Sequence, residues 1–147
     1  HGKTTTTSMI SLIYERADKN PTILIGGELK EINGNVKVGG DEFLITEACE
    51  YKENFLKFRP TIGIILNVDK DHLDYFKDLD HIISTFSKFA KIIPDNGYLI
   101  INNDDPNAKY IIKDLDCNVI TYGIERESNF TAKNIRFNNE GCPSFDV

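Results

Sequence analysis

Five residues at the start of the chain, His1-Gly2-Lys3-Thr4-Thr5, carry the chemistry of a phosphate-binding loop. Glycine lets backbone N–H groups approach phosphate oxygens, lysine brings positive charge to the β- and γ-phosphates, and the next hydroxyl is a ligand for Mg²⁺. Only the last part of a G-x-x-x-x-G-K-[ST] motif is present, and a bare Gly-Lys-Thr triplet is common on protein surfaces. Its setting gives it weight, because a helical pattern starts here and a helix N-terminus attracts anions.

A second candidate site is Glu47, directly after the apolar run Phe43-Leu44-Ile45-Thr46. A carboxylate beyond the end of a strand can bind Mg²⁺ directly or through water; a solvated loop acid is the alternative, and it suits Glu50 and Glu53 better. The third group is Asn67-Val68-Asp69-Lys70-Asp71-His72-Leu73-Asp74, with three carboxylates and one imidazole. The stretch lacks the central glycine and distal glutamate of a calcium-binding EF-hand loop. Two readings stay open: a polar loop with Asp74 or Asp78 capping the next helix, or a metal site built on His72.

The elements that must position these residues follow from apolar spacing. Met9, Ile13 and Ala17 recur at helical spacing beside Ile10 and Tyr14, and Asn20-Pro21 ends that helix. Thr22–Ile25, closed by Gly26-Gly27, reads as a strand, residues 28–41 as a glycine-bearing loop, and Phe43–Thr46 as a second strand. Thr61–Val68 is continuous and β-branched, as suits a sheet covered on both faces. Leu79, Ile82, Ile83, Phe86, Phe89, Ala90 and Ile93 form a helical stripe. After a turn at Pro94–Gly97 come the strand Tyr98–Ile101, a helix capped by Asp105 with Ala108, Ile111, Ile112 and Leu115 on one face, and the strand Val119–Tyr122. Phe130 to Val147 reads as an appended β-hairpin. The alternation predicts an α/β fold: a doubly wound, mainly parallel sheet flanked by helices. Ligands gather beyond the carboxyl ends of such strands, so Lys3, Thr4, Glu47 and His72 are expected on one rim, around a metal and a nucleotide.

Composition narrows the partners. The chain has 147 residues, 40% hydrophobic and 27% charged, with a formal net charge of -6. An acidic chain without clustered Lys and Arg argues against nucleic acid, and no apolar run reaches the length of a membrane span. Cys49, Cys117 and Cys142, widely spaced and odd in number, suit free thiols in a reducing cytoplasm.

Five ordered stretches, HGKTTTTSM, GGELKEINGNVKVG with FLITEACEY, NVDKDHLDYF, NNDDP and TAKNIRFNNEGCPSFDV, together resemble the central ATP-binding domain of the Mur ligases over essentially the whole chain. The resemblance implies ATP and Mg²⁺ as cofactors and an acyl phosphate formed on a substrate carboxylate, then attacked by an amine. It implies contacts to nucleotide from His1, Gly2, Lys3, Thr4, Thr5 and Asn35. It further implies one metal on Thr4 and Glu47, a second on His72, and Lys3, Glu47 and His72 as the residues that carry catalysis. Several members that act at later steps hold a carbamylated lysine on the helix after the metal-binding histidine. Phe86 stands in that register here, and Lys88, two places on, lies on another face of the helix. The alanine-adding branch, which lacks that lysine, is therefore the expected one, with UDP-N-acetylmuramate and L-alanine as substrates. A tripeptide-attaching relative, folylpolyglutamate synthetase and a non-catalytic nucleotide-binding module are the alternatives. The resemblance also places the UDP-sugar-binding domain and the C-terminal domain that brings the amino-acid site outside these 147 residues, so the stretch alone is expected to have little or no ligase activity.

Overall fold

A computed structural model describes residues 1–49, 51–69 and 76–147, in two compact units, residues 1–50 and 51–147. In the first unit, helix α1 (Lys3–Arg16) packs on strands β1 (Thr22–Leu29) and β3 (Leu44–Thr46). Central strand β1 pairs in parallel with β3, placing Ile23 opposite Ile45, and antiparallel with β2 (Gly34–Lys37), placing Leu24 opposite Val36. Ile23 and Ile25, alternate residues on one face of β1, are buried. Tyr14 closes edge-on against Phe43, with ring centroids 5.0 Å apart. An ion pair between Lys37 Nζ and Glu15 Oε1 at 2.6 Å ties β2 to the end of α1.

Two details of this unit differ from the spacing-based reading. Met9 and Ile13 are exposed, and the buried residue of α1 is Ser11. Its hydroxyl donates to the Thr7 carbonyl at 2.8 Å, so this small side chain is buried without an unsatisfied polar atom. The 28–41 stretch is not all loop. β1 continues through both glycines to Leu29, a 3-10 turn covers Lys30–Ile32, and Asn33 (φ 54°) turns the chain into β2. Asn-Gly is a strong hairpin signal, since both residues tolerate positive φ.

In the second unit, β4 (Ile62–Ile65), β5 (Tyr98–Asn102), β6 (Asn118–Gly123) and β7 (Phe130–Thr131) form a wholly parallel four-stranded sheet in that order. Helix α2 (Leu79–Lys91) joins β4 to β5, and the short α3 (Ala108–Ile111) joins β5 to β6. Asp78 caps α2 by accepting the His81 N–H at 2.8 Å, a contact typically worth about 1 kcal/mol. Ile82, Phe89, Ala90 and Ile93 of the expected stripe are buried, and Phe55 stacks on Phe89 at 4.9 Å. Leu99 and Ile101, on one face of interior strand β5, complete the core.

Here too some boundaries differ. β4 ends at Ile65, although Val68 stays buried. Phe130 and Thr131 join the parallel sheet rather than the hairpin, which is β8 (Lys133–Phe137) with β9 (Pro143–Asp146). Asp105 does not cap α3. The helix starts at Ala108, stops at Ile111 and is followed by Asp114 in the left-handed region at φ 55°. No helix among the described residues is long and apolar enough to cross a membrane.

Candidate functional site

The N-terminus of α1 opens the candidate site. Gly2 stands at its N-cap with φ 83°, a left-handed conformation that costs glycine little. From there its carbonyl accepts the Thr6 N–H at 3.0 Å. The first turn carries no acid of its own, so the positive end of a 14-residue helix is not offset from within. Lys3 and Thr4 are half-exposed at this end; His1, Gly2 and Thr5 are exposed.

Glu47 reaches this helix end from β3. Its backbone N–H donates to Leu24 O at 3.0 Å, extending the β1–β3 pairing past Thr46. Its carboxylate then accepts two bonds at Oε2, from the Thr4 hydroxyl and from the Gly26 N–H, both at 2.9 Å. Gly26 has a steric reason to lack a side chain: a Cβ there would lie 2.9 Å from that same oxygen. Thr4, Gly26 and Glu47 are thus one cluster at the carboxyl edge of the β1–β3 pair.

The donor set suits Mg²⁺, which prefers hard oxygens at about 2.0–2.1 Å in octahedral geometry. Adjacent ligands of such an octahedron sit about 2.9 Å apart, and the Thr4 hydroxyl and Glu47 carboxylate oxygens lie at 2.9 Å. The Thr4 hydroxyl and Glu47 carboxylate oxygens thus have the separation of two adjacent ligands of one such ion.

Other expected site residues stand as follows. Asn35 is exposed on β2, in the irregular stretch of the β1–β2 pairing. His72, with Lys70, Asp71, Leu73, Asp74 and Tyr75, lies outside the described residues, as does Glu50. The expectation of one shared rim extends to His72; the described geometry that bears on it is the cluster of Thr4, Gly26 and Glu47. Phe86 packs edge-on against Phe55, with centroids 5.4 Å apart, and Lys88 Nζ pairs with Glu53 Oε1 at 3.5 Å. Glu53 also accepts the hydroxyl of fully buried Thr85 at 3.1 Å, a structural role.

The family model for the Mur ligase middle domain matches residues 1–147. The chain belongs to the Mur ligase family. Within it, the UDP-N-acetylmuramate–L-alanine ligase of Alkaliphilus metalliredigens is 63% identical over all 147 residues, and that of Clostridium tetani 60%. The chain spans 32% of the length of each of these curated relatives. Among solved structures, the UDP-N-acetylmuramate:L-alanyl-γ-D-glutamyl-meso-diaminopimelate ligase from Neisseria meningitides superposes with a TM-score of 0.83 at 25% identity, covering 100% of this chain and 49% of that one. The UDP-N-acetylmuramate–alanine ligase from Thermotoga maritima gives 0.76 at 26% identity, covering 91% and 29%.

For a Mur ligase middle domain, one feature of the site escaped the sequence reading: the Gly26 N–H, for which Gly26-Gly27 after an apolar run was the available signal. In the second unit, β5 runs into the polar stretch Asn102-Asn103-Asp104-Asp105. Asp104 accepts the N–H groups of Ile124 (2.6 Å), Arg126 (2.8 Å) and Glu125 (3.2 Å) beyond β6, while Asp105 turns to Val68 beyond β4.

Proposed function

We propose that this chain is the ATP-binding core of a ligase that joins L-alanine to UDP-N-acetylmuramate. The observation that carries the reading is the Thr4–Gly26–Glu47 cluster at the N-terminus of α1. The substrate assignment is supported by 63% and 60% identity to relatives of that name. Phe86 in place of a carbamylated lysine agrees with it.

In this reading Gly2 and the first-turn N–H groups of α1 bind the phosphates, and Lys3 supplies the mobile charge beside them. Thr4 and Glu47 hold one Mg²⁺ and His72 holds a second. Bound Mg²⁺ offsets the charge of two anionic reactants, nucleotide and carboxylate, that must meet as phosphoryl transfer makes an acyl phosphate. Gly26 keeps Glu47 in place through its N–H and leaves room for the carboxylate. Asn35 stands near the transferring phosphate. The sugar and amino-acid sites belong to further domains of the same polypeptide, and the three cysteines, all free thiols, suit a cytoplasmic enzyme.

The test is product analysis with the full-length protein, ATP, Mg²⁺ and UDP-N-acetylmuramate, offered L-alanine, glycine, L-serine or the L-alanyl-γ-D-glutamyl-meso-diaminopimelate tripeptide. The expected product is the L-alanine adduct, with ADP and phosphate released one for one. Preference for the tripeptide would replace this reading with that of the Neisseria relative. ATP hydrolysis without any adduct would leave a nucleotide-binding module.

A further inference from the structure

Ile23 and Ile25 are buried on one face of β1, and the period-two alternation of a strand puts Gly27 next on that face. There the row of side chains stops. A Cβ built at Gly27 would lie 3.1 Å from Cγ2 of Thr4, closer than the about 3.5–4.0 Å of an ordinary carbon contact. Chain neighbours aside, that methyl is the one heavy atom of the described residues it would meet within 4 Å. Gly27 is not at positive φ, so its backbone conformation is open to any residue. The reason for glycine here is steric, and it lies at Thr4.

The same threonine turns its hydroxyl to Glu47 Oε2 at 2.9 Å. Methyl and hydroxyl share one Cβ, so a single torsion, χ1, places both. We propose that Gly27 is a positioning residue: by lacking a side chain it seats the Thr4 methyl, and so holds the Thr4 hydroxyl in the rotamer that meets Glu47. Gly26 serves the other partner, leaving room for the carboxylate and donating its N–H to it. Two adjacent glycines thus each set one of the two oxygens. The inference rests on the proposed role of Thr4 as a metal ligand, and every residue in it belongs to the unit of residues 1–50. A methyl added at position 27 is relieved by a turn of about 120° in the Thr4 χ1, the step between staggered rotamers, which carries the hydroxyl off Glu47.

The experiment uses the full-length protein and the variants Thr4→Ser, Thr4→Ala, Gly27→Ala and Gly27→Ala/Thr4→Ser. Serine keeps the hydroxyl and lacks the methyl. Thermal unfolding without nucleotide or Mg²⁺ reads the packing. Alanine for glycine at an ordinary φ raises Tm when nothing clashes, because the unfolded chain has less freedom to lose. Gly27→Ala should instead lower Tm by several degrees, and adding Thr4→Ser should reverse most of that loss. Turnover should follow. Gly27→Ala should lower kcat about 10- to 100-fold and raise the Mg²⁺ needed for half-maximal rate. The double variant should return to within about threefold of Thr4→Ser, the scale of freeing one three-well torsion. If Gly27→Ala does not fold, a folded double variant supports the inference and an unfolded one overturns it. A double variant as impaired as Gly27→Ala puts the clash elsewhere and overturns it. Rescue in Tm with Gly27→Ala at wild-type turnover makes the contact structural and overturns it too. If Thr4→Ala is impaired and the rescue is missing, Gly27 fails alone. If Thr4→Ala keeps wild-type turnover, the metal role of Thr4 fails and takes the inference with it.

Discussion

Thr4 Oγ1 and Glu47 Oε2 are 43 positions apart in the chain and 2.9 Å apart in space. The first belongs to α1 and the second to the end of β3, the third strand after that helix. Both belong to the unit formed by residues 1–50, so the contact depends on the local fold of α1, β1 and β3 alone.

Removing the Thr4 hydroxyl tests whether this contact serves chemistry. In the full-length enzyme Thr4→Ala should lower kcat by about 10²- to 10³-fold, the scale for losing one preorganised group at developing charge. Thr4→Ser keeps the oxygen and should stay within a few-fold of wild type. Steady-state kinetics of the pair checks this; equal activity of Ala and Ser variants would mean that the hydroxyl only supports the fold.

Gly26→Ala places a methyl 2.9 Å from the Glu47 carboxylate without disturbing backbone conformation, as Gly26 is not at positive φ. The carboxylate must move. A displacement of this kind should cost turnover about 10- to 100-fold while costing stability about 1–3 kcal/mol. Kinetics beside thermal unfolding separates the two, and a stability loss with full turnover would free Glu47 from the site.

Much of this was legible beforehand because strand and helix periods are strong signals. The β-branched run around Ile62–Ile65 and the stripe from Ile82 to Ile93 gave β4 and α2 almost directly. Glu47 was singled out because a polar residue just after an apolar run is visible in one dimension. The Gly26 N–H was not, since a backbone donor has no letter of its own. The face of α1 was misjudged because small, self-satisfied Ser11 is buried where Met9 and Ile13 are not. Asp105 read as a cap because its local bond to Asn107 is legible in one dimension, while its bond to Val68, 37 residues away, is not.

His72→Ala in the full-length enzyme should reduce turnover strongly, recover in part at high Mg²⁺ and weaken ATP binding less. The first ion keeps Thr4 and Glu47, and stabilisation at the second appears mainly in the transition state. A Mg²⁺ titration of kcat checks this; wild-type turnover at ordinary Mg²⁺ would make His72 structural.

Asp104 gives a pH dependence. The N–H of Ile124, then those of Arg126 and Glu125 and the charge of Arg126, hold its carboxyl below the ordinary 3.8, against partial burial. A folded pKa below the unfolded one means that the stabilisation is full above about pH 3.8, and is lost as pH falls through the folded value. Asp104→Ala should therefore cost about 1 kcal/mol at neutral pH, discounted for exposure, and the difference from wild type should shrink in acid below that window. Chemical denaturation at neutral and acid pH reads it; a difference that grows in acid would contradict the assignment.

The most direct measurement is anomalous diffraction from crystals of the full-length enzyme with Mn²⁺ and a non-hydrolysable ATP analogue. A peak bonded to both Thr4 Oγ1 and a Glu47 carboxylate oxygen, at about 2.0–2.4 Å, with the analogue's phosphates at the N-terminus of α1, is the expected result. Mn²⁺ bound elsewhere, with the Thr4–Glu47 hydrogen bond intact beside bound nucleotide, would contradict it.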